Sequence, residues 1–218
     1  MTQLLNQDSV STSNVAALPR RERDRLQRRL DILQAAEIVF SRKGYHDASI
    51  EEIARAAEYG TGTVYLYFKD KEALYAELVE DKIRGMVEHI ERAAAGASDP
   101  IEALRCVVRA RMEFFDRNRE FFRIYMNVRT EMGRPKGGKW EQIVRLRDRY
   151  VELITRLVRA AQRRGLIRKG DARQFAVALT GIMRQLTRDW LRSNNGRSLT
   201  DSVDFVADLF LSGALAKR

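Results

Sequence analysis

From Leu26 to the C-terminal region, apolar side chains return every three or four residues in stretch after stretch, and most of the intervening breaks carry glycine. That spacing stacks side chains on one face of an α-helix, whereas a half-buried strand needs strict alternation. The first stripe is Leu26, Leu30, Leu33, Ala36 and Phe40, and it stops at Gly44 behind Arg42 and Lys43. A second stripe, Tyr75, Val79, Ile83, Met86 and Ile90, follows Asp70, a residue suited to capping a helix. A third is Ile143, Leu146, Tyr150, Leu153 and Leu157. With 3 prolines in 218 residues and 32% charged side chains, these faces predict an all-α chain without a substantial sheet, and a hydrophobic fraction of 44% suffices for a core.

Helix starts are written locally. Ser49 and Glu52 form a capping box, in which hydroxyl and carboxylate each satisfy an otherwise orphaned backbone donor, so a short helix is expected over 50–57. Asp99, Pro100 and Glu102 stand at the cap, first and third positions of another. Asp171 and Gln174 form a second capping box. Helices are expected over 100–117, 119–131, 139–164, 171–192 and 199–216, the last four parted by GRPKGG, GLIRKGD and NNGRSLT. EYGTG reads as a turn, and the six residues of TVYLYF fit strand or helix alike. Residues 1–19, rich in Ser, Asn, Gln and Thr, are expected to be disordered, and RRERDRLQRR, residues 20–29, leads out of them as a basic arm.

Chemistry-bearing side chains are scarce. Cys106 is the single cysteine, which leaves no disulfide framework and no cysteine-based metal cluster, and it reads as a small core residue. His46 and His89 are the two imidazoles, read as a turn residue and a surface residue, and no glycine-rich phosphate loop is present. The expectation is a protein that is not an enzyme and uses no metal and no cofactor. No run approaches the roughly 20 apolar residues needed to cross a bilayer, and the N-terminal stretch lacks a basic region before an apolar one, so a cytoplasmic location is expected.

The formal charge of +10 favours a polyanionic partner. Residues 1–71 hold 11 basic and 10 acidic side chains, however, and the surplus lies beyond them. Between residues 105 and 173 there are 20 basic against 8 acidic residues.

The string SIEEIARAAEYGTGTVYLYFKDKEALYAELV, residues 49–79, resembles the helix-turn-helix of the TetR family: an I-A-x-x-A first helix, G-T-V-Y-x-Y-F in the second, and K-D-K-E-x-L opening a long fourth. The resemblance implies a dimeric, all-helical transcription regulator with about nine helices, in which a three-helix DNA-binding domain precedes a helical ligand-binding and dimerisation domain. The expected division is a disordered, partly basic arm over 1–25, the DNA-binding domain over 26–72, and the second domain over 73–218. It implies that Val64 and Phe68 bind the second helix to the first, that Thr61, Gly62 and Tyr65 touch base edges, and that Thr63, Tyr67 and Lys71 hold phosphates. Ser49 and Arg28 are assigned to phosphates with them, and the arm Arg20–Arg29 to backbone or minor groove. One departure stands out: where the family usually has glycine in the turn this chain has Glu58, and Gly60 replaces a small polar residue, so a turn shifted by a residue or two is expected.

By layout, helices 171–192 and 199–216 pair with their copies in a homodimer, with Phe175, Leu179, Ile182, Leu186, Val203, Val206 and Phe210 at the interface. The expected partners are a double-stranded palindromic operator and a small-molecule effector that releases it, with repression as the default. An anionic amphiphile such as an acyl-coenzyme A suits Arg105 and Arg109 beside Phe115, Phe122, Tyr125 and Met126. The alternative is control by a protein partner, which a filled core with an exposed apolar patch favours.

Overall fold

The structure, a computed structural model, describes residues 19–132, 138–193 and 196–214. The expected disordered tail, most of GRPKGG, the two asparagines of NNGRSLT and residues 215–218 lie outside the described residues. Nine α-helices and no β-strand are present among the described residues: α1 (Arg20–Lys43), α2 (Ile50–Ala56), α3 (Thr61–Tyr67), α4 (Lys71–Ala95), α5 (Pro100–Arg117), α6 (Arg119–Met132), α7 (Gly138–Arg163), α8 (Ala172–Arg192) and α9 (Val203–Ala214). The chain divides into two compact units, residues 1–85 with 127–143, and residues 86–126 with 144–218.

In the first unit the Ser49 capping box forms as the residues require, with Glu52 N donating to Ser49 Oγ and Ser49 N to Glu52 Oε2, both at 3.2 Å. Asp70 caps α4 through the Ala73 amide at 2.7 Å. The core joins Ile32, Ala36 and Phe40 of α1 to Ile53 of α2, Val64 of α3, and Leu74, Tyr75 and Val79 of α4. Tyr75 anchors an aromatic group, with Phe40 edge-on at 5.4 Å, Tyr45 at 4.8 Å and Trp140 at 6.4 Å between ring centres. Glu77 and Glu80 are buried and charge-paired: Glu77 with Arg29 and Lys139, and Glu80 with Arg84 and Lys139. Residues 20–25, expected as part of a disordered arm, are the first turns of α1. Strong helix formers fill them, and Pro19, which lacks an N–H to leave orphaned, precedes them.

In the second unit Asp99 accepts from the amides of Ile101 and Glu102 at 2.7 and 3.1 Å, and Pro100 opens α5. Asp171 caps α8 through the Arg173 amide at 2.8 Å rather than as a box with Gln174. The expected helix 199–216 is broken: Leu199–Ser202 form a 3-10 turn before α9. Asp116 of α5 accepts from the Ser198 hydroxyl at 2.8 Å and the Leu199 amide at 3.1 Å, which pins that turn and prevents a continuous helix. Helix α5 packs on α8, α9 and the 3-10 turn, with Val107, Met112, Leu179, Met183, Val206 and Phe210 inside.

Candidate nucleic-acid interface

Two short helices joined by a tight turn form the site. Helix α2 ends at Ala56, and Glu58 takes φ +59, the one non-glycine residue with positive φ among the described residues. The Tyr59 amide then donates to Ala54 O at 2.9 Å, closing the turn. The expected shift of the turn is thus corrected: it stays at Glu58, which adopts the left-handed conformation itself, and Gly60 is extended at φ −70, where any residue fits. The Tyr59 hydroxyl donates to Asp31 of α1 at 2.8 Å, and Gln27 Nε2 donates to the same carboxylate at 2.8 Å. Sharing its proton with Asp31 pushes the Tyr59 phenol above its ordinary value.

TVYLYF is helical through Tyr67, with Phe68 its extended cap, and Val64 and Phe68, both buried, fasten α3 to the domain. Arg29 lies over the Phe68 ring at 5.4 Å. The opposite side of α3 faces outward: Gly62 is open, Tyr65 is 50% exposed and Leu66 is 79% exposed. Thr61, Thr63 and Tyr67 are half-buried along its edges. Tyr65 and Leu66, adjacent in sequence, give the outward face of α3 both a hydroxyl and an apolar group.

The residues assigned to phosphates are scattered in role. Arg28 is exposed on α1, and Ser49 spends its hydroxyl on the α2 cap. The Lys71 ammonium donates to the carbonyls of His46 and Ala48, both at 3.0 Å, and sits 4.8 Å over the Tyr45 ring. It holds the loop before α2 against α4. Lys69, exposed, was not among the expected contacts, and neither was Leu66. A helical reading of TVYLYF would have found Leu66, four residues from Gly62 on one face.

In the second unit, Arg105 and Arg109 face α9 and are engaged there, with Asp208 at 2.8 Å and Asp204 at 4.0 Å. Phe115, Phe122 and Tyr125 are buried, Phe115 and Phe122 stacked at 3.9 Å, and Met126 is half-buried. The two arginines and the aromatic group therefore lie on different sides of α5. Of the expected interface residues, Leu179, Val203, Val206 and Phe210 are buried within one chain, while Phe175, Ile182 and Leu186 are half-buried. The exposed large apolar side chains on α8 and α9 are instead Val177, Phe205 and Leu209, so the outward face is rotated from the expected one. Helix α9 is apolar on both sides, and the better-buried register belongs to α5 and α8 of the same chain.

Comparison with known proteins agrees with this geometry. A family model described as bacterial regulatory proteins, tetR family, matches residues 32–78, and a second, tetracyclin repressor-like C-terminal domain, matches residues 97–214. The fatty acid metabolism regulator protein of Bacillus subtilis is 23% identical over 187 residues, 84% of this chain and 94% of that protein. The crystal structure of the TetR family regulator PfmR from Thermus thermophilus is similar with a TM-score of 0.71 at 25% identity, covering 83% of this chain and 97% of that one. The structure of the regulator FadR from Bacillus subtilis in complex with stearoyl-CoA matches with a TM-score of 0.71 at 22% identity, over 84% of this chain and 98% of that one, a likeness of fold. The chain belongs to the TetR family of DNA-binding bacterial transcription regulators.

Proposed function

We propose that the protein is a homodimer that reads a palindromic operator through α3 and leaves it when a small anionic amphiphile binds the C-terminal helices. The outward presentation of Gly62, Tyr65 and Leu66, on a helix fastened by Val64 and Phe68, carries this reading. Thr61, Gly62 and Tyr65 touch base edges, and Leu66 supplies an apolar surface suited to thymine methyl groups. Thr63, Tyr67, Lys69 and Arg28 lie where phosphates run, with Ser49 and Lys71 holding the frame behind them. The domain itself is nearly neutral, so affinity rests on these few placed contacts more than on bulk charge.

A two-fold dimer sets two such helices about 34 Å apart, matching successive major grooves of a palindrome. Val177, Phe205 and Leu209 support pairing through α8 and α9, because large apolar groups exposed in a single chain become covered on association. The regulator in complex with stearoyl-CoA makes acyl-coenzyme A the first effector to test. An effector acts only through its preference for one conformation: a 100-fold preference per dimer corresponds to roughly 2.7 kcal/mol, enough to empty a modestly occupied operator. The test is to select bound fragments from genomic DNA and then screen acyl-coenzyme A compounds for release. A recurrent palindrome released by one of them is the expected outcome; binding without sequence preference contradicts the reading.

A further inference from the structure

Resting on the reading of the C-terminal helices as an effector domain, we infer that its core holds a carboxylate-binding centre at Arg111, for an effector that is a free acid with an apolar body. Arg111 lies on the inner side of α5, only 6% exposed. Its Nη1 donates to Thr187 Oγ1 at 3.1 Å, and its guanidinium sits 4.5 Å over the Phe115 ring. Those are its partners among the described residues, and no carboxylate is one of them. Two more arginines bear on the place electrostatically: Arg184, exposed on α8 one turn before Thr187, and Arg147, half-buried on α7 at 5.8 Å over the Tyr125 ring. Neither has an ion pair among the described residues. Burial lowers the Arg111 and Arg147 guanidiniums, and repulsion from Arg184 lowers both further.

A guanidinium taken out of water is ordinarily paired, because desolvation without a partner costs several kcal/mol. Here a five-donor planar fork meets one hydroxyl and one ring face, while like charges stand close by. Such an arrangement is incomplete without an anion. The same fork accepts a carboxylate through two parallel hydrogen bonds. Tyr150, buried beside Arg111 and with its phenol pushed up to about 12, has among the described residues only the Met183 sulfur at 3.9 Å for its hydroxyl, and it can donate to the same anion. Phe115, Phe122 and Tyr125, packed on one another, make the surroundings of the two guanidiniums apolar. An acyl-coenzyme A carries its charge at the nucleotide end and none at the acyl end, so a buried cationic centre selects the free acid over the thioester.

The test uses the full-length protein, titrated calorimetrically with dodecanoate, methyl dodecanoate, phenylacetate and dodecanoyl-coenzyme A, each also assayed for release of the selected operator. Dodecanoate or phenylacetate is expected to bind at least tenfold more tightly than the uncharged ester, the two distinguishing a fatty from an aryl acid. Arg111→Met should erase that preference, bringing acid binding down to the level of the ester. The variant should also melt no lower than the parent, since it removes a charge lacking a counter-ion; Thr187→Val, which exchanges the hydroxyl for a methyl group of like size, should weaken acid binding several-fold as a second check. Equal binding of acid and ester, or a lower melting temperature for Arg111→Met with acid binding intact, overturns the carboxylate centre. Release of the operator by dodecanoyl-coenzyme A alone overturns it while the effector reading stands. No release by any of the four compounds removes both.

Discussion

Replacing Glu58 with glycine tests whether the turn between α2 and α3 stores backbone strain. Glu58 sits at φ +59 with an exposed side chain, and the turn is held by main-chain bonds that the substitution keeps, Glu58 N to Arg55 O at 3.2 Å and Tyr59 N to Ala54 O at 2.9 Å. The left-handed conformation costs an L-residue about 1–2 kcal/mol relative to glycine. Glycine returns about 0.4–1 kcal/mol of that through the greater freedom of its unfolded chain. The balance is a stabilisation of about 0.5–1 kcal/mol, or roughly 1–4 °C in Tm for a protein of this length. Glu58→Ala is the control, since it removes the carboxylate and keeps the strain, and it should leave Tm unchanged. Scanning calorimetry of the three proteins under identical buffer decides the matter. A lower Tm for Glu58→Gly, or an equal rise for both variants, refutes the strain argument and assigns the effect to charge.

Further expectations follow from single contacts. Ser49→Ala removes half of the α2 capping box and should cost about 1 kcal/mol, read from chemical denaturation, with DNA binding weakened for every sequence alike. Lys69→Ala should lower affinity uniformly across sequences and reduce the salt slope by about one phosphate contact, whereas Tyr65→Ala should also change the preferred sequence; equal effects from both count against the division of roles. Phe205→Asp together with Leu209→Asp should shift the sedimentation coefficient to that of a monomer at micromolar concentration, while Val206→Asp, which buries a charge inside one chain, should unfold the second unit instead.

Much of the fold is legible in residues that act locally. Ser49, Asp70, Asp99 and Asp171 cap helices because each supplies an oxygen to amides within three positions, so the helix starts follow without knowledge of the rest of the chain. What is not legible depends on competition between surfaces. Helix α9 carries Val203, Val206 and Phe210 on one side and Phe205 and Leu209 on the other, and the periodicity is equally good for both. Only the packing of α5 and α8 decides which side is interior. Arginines pose the same difficulty. Arg105 and Arg109 share a face with a one-turn spacing that suggested a joint role, yet they meet Asp208 and Asp204, and Arg111, two residues further on, turns inward. The 3-10 turn at Leu199 arises from Asp116, more than eighty positions away, and no local pattern announces it. Glu58 resists the rule that left-handed positions belong to glycine, because the main-chain bonds around it outweigh a strain of about 1–2 kcal/mol.

Cleavage of DNA from a reagent fixed to α3 interrogates the reading helix most directly. With Cys106→Ser removing the native thiol, Leu66→Cys carries an iron chelate that generates hydroxyl radicals at the outward face of α3. On the selected operator, cutting is expected in two clusters about 10 base pairs apart, one for each subunit. Diffuse cutting along the fragment, or clusters produced by a chelate on α9 but not on α3, contradicts the assignment of α3 to the groove.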